Sequence, residues 1–157
     1  MLGAEYFITE PQSDVDWETY FDLRWRILRA PWNQPPGSER DDREEKSIHL
    51  MICDASRAPI GIGRLHLNSS DEAQVRFTAV EPRFGGRGVG SRILSELENR
   101  ARSRGATRVM LNARKEATRF YLKHGYVIVG LAETLFGTVE HVRMEKEISL
   151  RIVLLKR

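Results

Sequence analysis

Gln74-Val75-Arg76-Phe77-Thr78-Ala79-Val80, then Glu81-Pro82-Arg83-Phe84, then Gly85-Gly86-Arg87-Gly88-Val89-Gly90, then a run from Ser91 to Arg104: this stretch decides the fold. Its first part alternates apolar and polar residues, the period of a strand with one buried face. Its last part places Val89, Ile93, Leu94, Leu97 and Ala101 at helical spacing, with Arg92, Glu96, Glu98 and Arg100 between them. The stretch therefore predicts strand, glycine-rich loop, helix. A helix N-terminus presents unpaired N–H groups and a partial positive charge. Glycines remove the side chains that would keep an anion from those groups, and Arg87 adds a full charge. A phosphate-bearing ligand is the natural guest.

Two phosphate motifs fail on named residues. The dinucleotide fingerprint needs a third glycine where, counting from Gly86, Ser91 stands. The P-loop needs Lys and then Ser or Thr after its last glycine. Gly85 and Gly90 have that spacing, but Ser91-Arg92 follows.

What remains, a strand ending in Ala79-Val80 and a loop in which Arg87-Gly88-Val89-Gly90 opens a helix, resembles the acetyl-CoA site of the GNAT superfamily of N-acetyltransferases. The family pattern, Gln/Arg-x-x-Gly-x-Gly/Ala, is met at Gly88 and Gly90 and departs at Gly85, which leaves the backbone cradle in place. A second landmark agrees: Ala117-Thr118-Arg119-Phe120-Tyr121-Leu122-Lys123-His124-Gly125-Tyr126 is similar to the family's Ala-x-x-Phe-Tyr-x-x-x-Gly-Phe/Tyr segment. The resemblance extends from about Asp16 to Ile148.

The resemblance implies an α+β domain with a mixed, mostly antiparallel sheet of six to seven strands and about four helices. It implies acetyl-CoA as cosubstrate and transfer of acetyl to a primary amine, on a small molecule or a peptide, by direct attack in a ternary complex. Ala79 and Val80 would hold pantetheine and the thioester carbonyl through their backbone. Gly86, Arg87, Gly88, Val89, Gly90 and Ser91 would hold the pyrophosphate. Tyr121 would protonate or anchor the departing sulfur, and Asn112, at the end of the next strand, would hold pantetheine or orient a water. His141 and His66 are candidate bases because imidazole titrates in the right range. His66 and Trp32, the latter in a loop beside three prolines, are candidates for the acceptor side. The bland reading of each is a packing or turn residue. Two rivals stand beside this reading: a non-catalytic acyl-CoA-sensing module, and an acetyltransferase acting on aminoacyl-tRNA.

Composition bounds the rest. The chain has 157 residues, 41% hydrophobic and 30% charged, with net charge +3. That is enough for one domain, 1–157, with 149–157 extending the last strand or forming a tail. Arg is scattered rather than gathered in a tract, which disfavours nucleic acid as partner. The single Cys53 cannot close an internal disulfide, in keeping with a cytoplasmic protein. Met1 to Thr9 lacks the basic and apolar regions of a leader, and no apolar run approaches the ~20 residues that span a bilayer. No His/Cys cluster has metal-ligand spacing, so no metal is expected. The apolar tail and the family resemblance leave a homodimer open.

Locally, Ser13 or Asp14 caps a helix to about Arg29, with Trp17, Tyr20, Phe21, Trp25 and Leu28 on one face. Ser38 to Lys46 mixes charges at helical spacing and predicts a short solvated helix. Gly61 and Gly63 inside a strand predict a bulge or a close neighbour.

Overall fold

The computed structural model describes residues 5–148; the expectation about 149–157 lies outside the described residues. Seven strands form one mixed sheet in the order β1-β2-β3-β4-β5-β7-β6. They are β1 (Phe7–Thr9), β2 (Ile48–Cys53), β3 (Pro59–Leu67), β4 (Glu72–Val80), β5 (Arg108–Arg114), β6 (Val127–Leu131) and β7 (His141–Glu147). The α-helices among the described residues are α1 (Asp14–Leu28), α2 (Val89–Ser103) and α3 (Thr118–Lys123). That is one fewer than about four. The Ser38 to Lys46 segment supplies only a single 3₁₀ turn, Glu44–Lys46. Its carboxylates are drawn onto arginines of α1, β3 and β4 instead of lining a helix face.

The described residues form two compact units, 5–66 with 75–97, and 67–74 with 98–148. In the first unit, β1 and β2, and β2 and β3, pair antiparallel. One face of these strands packs on α1: Tyr20, Phe21 and Leu23 meet Met51, Cys53, Ile62 and Ala79, with Trp17, Ile27 and Leu28 closing the edge. Ser13 starts α1 through a capping box. Its hydroxyl accepts from the Asp16 N–H, and Asp16 accepts from the Ser13 N–H. The Asp16 carboxylate also takes Arg57 from the β2–β3 turn at 2.9 Å, which holds its pKa down at about 2.

Gly61 and Gly63 turn out to mark a close neighbour. A Cβ on Gly61 would run into Val89 Cγ1, and one on Gly63 would stand 2.7 Å from Ile93 Cγ2 and 2.9 Å from Leu97 Cδ1. The two glycines make the groove in which the first turns of α2 lie.

In the second unit, β4 begins parallel to β5, from Glu72↔Arg108 to Gln74↔Met110. β7 lies between β5 and β6 and pairs antiparallel with both. β5 runs through Asn112 to Arg114, because β7 goes on pairing with it as far as Arg114↔His141. Asn112 is therefore mid-strand rather than a strand end, opposite Arg143 and exposed. The buried Tyr126 hydroxyl donates to Glu98 Oε2 at 2.8 Å, and Lys146 Nζ donates to Glu98 Oε1 at 3.0 Å.

Candidate active site

In the first unit, β4 ends at the buried Ala79 and half-buried Val80. The Glu81 N–H then donates to the Ile60 carbonyl, fixing where the chain leaves the sheet. A 3₁₀ turn, Pro82–Phe84, leads into the glycine loop. Gly86 (φ 75°) and Gly88 (φ 83°) lie in the left-handed region, where a side chain is strained. Around both, a Cβ would meet nothing within 4 Å. The loop is thus open on its outer side, with Gly85 to Gly88 exposed and Val89 buried under the helix start. The guanidinium groups of Arg83 and Arg87 lie 5.1 and 5.4 Å from the Phe84 ring. Backbone N–H groups at a helix start, freed of side chains and flanked by two cations, suit a pyrophosphate.

The same unit holds a polar core that the sequence reading missed. Arg24 and Arg64 have fully buried side chains. Arg64 donates to both Asp41 oxygens, at 2.6 and 3.0 Å, and to Glu44 at 2.9 Å. Arg24 donates to Glu44 at 2.8 Å and to the Tyr20 hydroxyl at 2.9 Å. Arg76 reaches Asp41 at 2.8 Å. Four guanidinium groups surround one ring: Arg24, Arg76, Arg64 and Arg29 lie 4.2, 4.4, 4.9 and 5.5 Å from the centre of Phe77. Phe77 itself has φ 59°, an outlier for a bulky residue on a strand. Burial works to raise the Asp41 carboxyl, but the hydrogen bonds and charge of Arg64 outweigh it and hold the pKa well below the usual range.

The two candidate histidine bases are in opposite states. His66 is buried, and its Nδ1 accepts from Arg64 at 3.1 Å. Arginine can only donate, so the proton of the neutral ring sits on Nε2. His141, half-buried at the start of β7, has Nδ1 2.9 Å from the Val139 carbonyl. A carbonyl can only accept, so Nδ1 carries a proton, and in the neutral ring the lone pair is on Nε2. Of the two, His141 has the tautomer of a base.

Tyr121, in the second unit, is half-buried on α3, edge-on to Phe120 at 5.0 Å and to Tyr126 at 5.8 Å. Arg114 of β5 couples electrostatically to it. That unit thus holds Tyr121, Asn112 and His141, while Ala79, Val80, the glycine loop, Trp32 and His66 belong to the first. Trp32 is half-buried in the 3₁₀ turn Ala30–Trp32, and its carbonyl accepts from Gln34 Nε2 at 3.1 Å. Among the described residues no group of three His, Cys, Asp or Glu is placed to hold a metal ion, and no helix is long and apolar enough to cross a membrane.

The model of the acetyltransferase (GNAT) family matches residues 17–126. YjcF, an uncharacterized N-acetyltransferase of Bacillus subtilis (strain 168), is 31% identical over 127 residues, covering 81% of this chain and 89% of its own. An aminoglycoside 6′-N-acetyltransferase complexed with coenzyme A aligns with TM-score 0.77 at 20% identity, over 92% of this chain and 98% of that one. Ard1 from Thermoplasma volcanium aligns with TM-score 0.75 at 24% identity, over 94% and 100%. At such identities the two solved structures speak for the fold alone. The family match over residues 17–126 and the 31% identical relative carry the conclusion: the chain belongs to the acetyltransferase (GNAT) family and is an acyl-CoA-dependent N-acetyltransferase.

Proposed function

We propose that the protein transfers acetyl from acetyl-CoA to a primary amine by direct attack in a ternary complex. The observation that carries this reading is the open glycine loop, with left-handed Gly86 and Gly88 between the end of β4 and the start of α2. The N–H groups from Gly86 to Ser91, with Arg87, take the pyrophosphate. Backbone at Ala79 and Val80 pairs with pantetheine, and an N–H there polarises the thioester carbonyl. A preorganised donor of that kind contributes ~3 kcal/mol to the transition state.

The amine attacks the carbonyl carbon, the C–S bond breaks, and the sulfur leaves as thiolate. Tyr121 returns a proton to it, a phenol being close in acidity to a thiol. His141 Nε2 accepts the amine proton, and the Val139 carbonyl holds the ring in that tautomer. Asn112 is an amide and cannot be the base; its exposed side chain is suited to holding pantetheine or a water. Trp32 lines the acceptor side.

Calorimetric titration with acetyl-CoA, wild type against Gly88→Glu, tests the reading. Binding that the substitution abolishes supports it, since the new side chain brings both strain at positive φ and a negative charge. Equal binding by both proteins would remove the loop from the site.

A further inference from the structure

We infer that the outer edge of β6 is the seat of a symmetric dimer, in which β6 of a second copy of this chain pairs with it antiparallel. The inference stands on the second unit alone and goes beyond the proposed acetyl transfer.

β6 ends the sheet, so among the described residues one of its two rows of backbone N–H and C=O groups has no strand beside it. All five of its residues are exposed. Proteins guard such an edge by keeping it short, or with charges or proline. β1, at the other end of the sheet, has three residues, and Pro11 follows two places on. Val127-Ile128-Val129-Gly130-Leu131 carries neither a charge nor a proline. Its three β-branched residues favour an extended neighbour. The guard it has is a register shift between Ile128 and Gly130. Gly130 undoes part of that guard. Its φ lies outside the left-handed region, and a Cβ there would meet nothing within 4 Å, so neither conformation nor crowding among the described residues demands glycine. A strand glycine of that kind leaves room for another backbone to come close.

The exposed apolar surface lies in the same place. Apart from Val15, the large hydrophobic side chains exposed among the described residues are Leu122, Val127, Ile128, Val129, Leu131 and Phe136. All six are on β6 or on the segments that enter and leave it. Leu131 is 90% exposed and the other five 36–57%. Together they offer on the order of 600 Å² per copy, so a pair has about 1,200 Å² available, where specific interfaces begin.

The occupant that fits this edge is its own copy. Antiparallel pairing about a two-fold axis sets the start of one β6 against the end of the other, and it closes at two chains. The charges at the two ends agree with that arrangement. Lys123 stands exposed before β6 and Glu133 stands exposed after it, and neither makes an ion pair among the described residues. The axis brings each Lys123 toward the partner's Glu133, twice over. A parallel copy would set like charges side by side instead.

The test is the mass of the full chain in solution, by sedimentation velocity and light scattering. At about 200 µM a mass of twice the chain is expected, falling toward one chain on dilution. Leu131→Lys is expected to raise the dimer Kd about tenfold or more, by setting a cation on each side of the shared edge. A thermal melt checks that the variant folds. Glu133→Lys is expected to raise the Kd about threefold or more, and Glu133→Lys with Lys123→Glu to return it to within about twofold of wild type. The inference is overturned by a single-chain mass throughout, by a dimer that Leu131→Lys leaves intact, or by a charge swap that recovers nothing. A single-chain mass is the outcome if residues 149–157, which include Leu150, Ile152, Val153, Leu154 and Leu155, cover the edge within one chain. A mass that keeps growing past two chains would also overturn it, since the paired edges would then not close. None of these readings depends on turnover, so they hold whether or not the proposed function survives its own test.

Discussion

Replacing Gly61 by alanine puts one methyl group where Val89 Cγ1 already stands. Val89 is the first residue of α2 and is 1% exposed. A β-branched side chain in a helix has one strongly preferred rotamer, so its γ-methyl cannot swing away. Relief must come from moving the helix start or the strand. Overpacking of this kind costs about 1–3 kcal/mol. Alanine regains about 0.5–1 kcal/mol of chain entropy over glycine in a strand. The contact lies far inside van der Waals distance, so the upper half of that cost applies and the net loss is about 1–2.5 kcal/mol, or roughly 2–10 °C in Tm for a chain of this size. Because the glycine loop hangs on that end of α2, acetyl-CoA Kd should rise by about threefold or more as the N–H groups shift by tenths of an ångström. Thermal melts and calorimetry read both quantities. Gly130→Ala is the control, since a Cβ there meets nothing within 4 Å. Val89→Ala removes the offending methyl, so the double variant should be more stable than the sum of the singles by about 1 kcal/mol or more. A Gly61→Ala melt within about 1 °C of wild type, or strict additivity with Val89→Ala, would refute the claim that this contact seats the helix.

Tyr121→Phe should lower kcat by about 10²-fold or more and leave acetyl-CoA Kd within about threefold, measured by thiol release and calorimetry; an unchanged kcat would make the ring a packing element only. His141→Gln should lower kcat by about 10²-fold or more and leave acetyl-CoA Kd within about threefold, read by thiol release and calorimetry; an unchanged kcat would exclude it as the base. Asp16→Asn loses the Arg57 pair and weakens the cap, at about 1 kcal/mol or more. The Asp16 pKa is depressed from 3.8 to about 2, so its contribution is complete above pH ~4 and is lost as pH falls toward 2. Denaturation curves of wild type and variant should converge over that window. Burial pushes the Cys53 thiol up to about 11, so alkylation at pH 8 should be slow in the native protein and fast after unfolding.

The parts of the fold legible in the sequence are those whose physics acts through residue identity at close range. Positive φ at Gly86 and Gly88 selects glycine, and the closeness of α2 to β3 selects Gly61 and Gly63; each left its mark in the letters. The Ser38 to Lys46 segment did not. Charges at helical spacing look the same whether they face water or arginines 20 residues away, as Glu44 does with Arg24 and Arg64. Arg24 shares α1 with the apolar residues around it, where a cation is ordinarily read as snorkelling outward. Only the fold reveals that Asp41 and Glu44 come back to meet it and Arg64. In the sequence Asn112 looks like a strand end for a similar reason: the partner that extends β5 to Arg114 is β7, more than 25 residues later in the chain.

The position of β7 between β5 and β6 bears on how the protein is made. Synthesis runs from the N-terminus, so β5 and β6 leave the ribosome before the strand that joins them. Until His141–Glu147 emerges, the β5 edge from Arg108 to Arg114 and the β6 edge from Val127 to Leu131 lack the partner both require. A nascent chain stalled ahead of His141 exposes two adhesive borders at once, Val127, Ile128, Val129 and Leu131 among them. Tyr121 lies between those strands in sequence, so its helix can be seated on a finished sheet only after that late insertion.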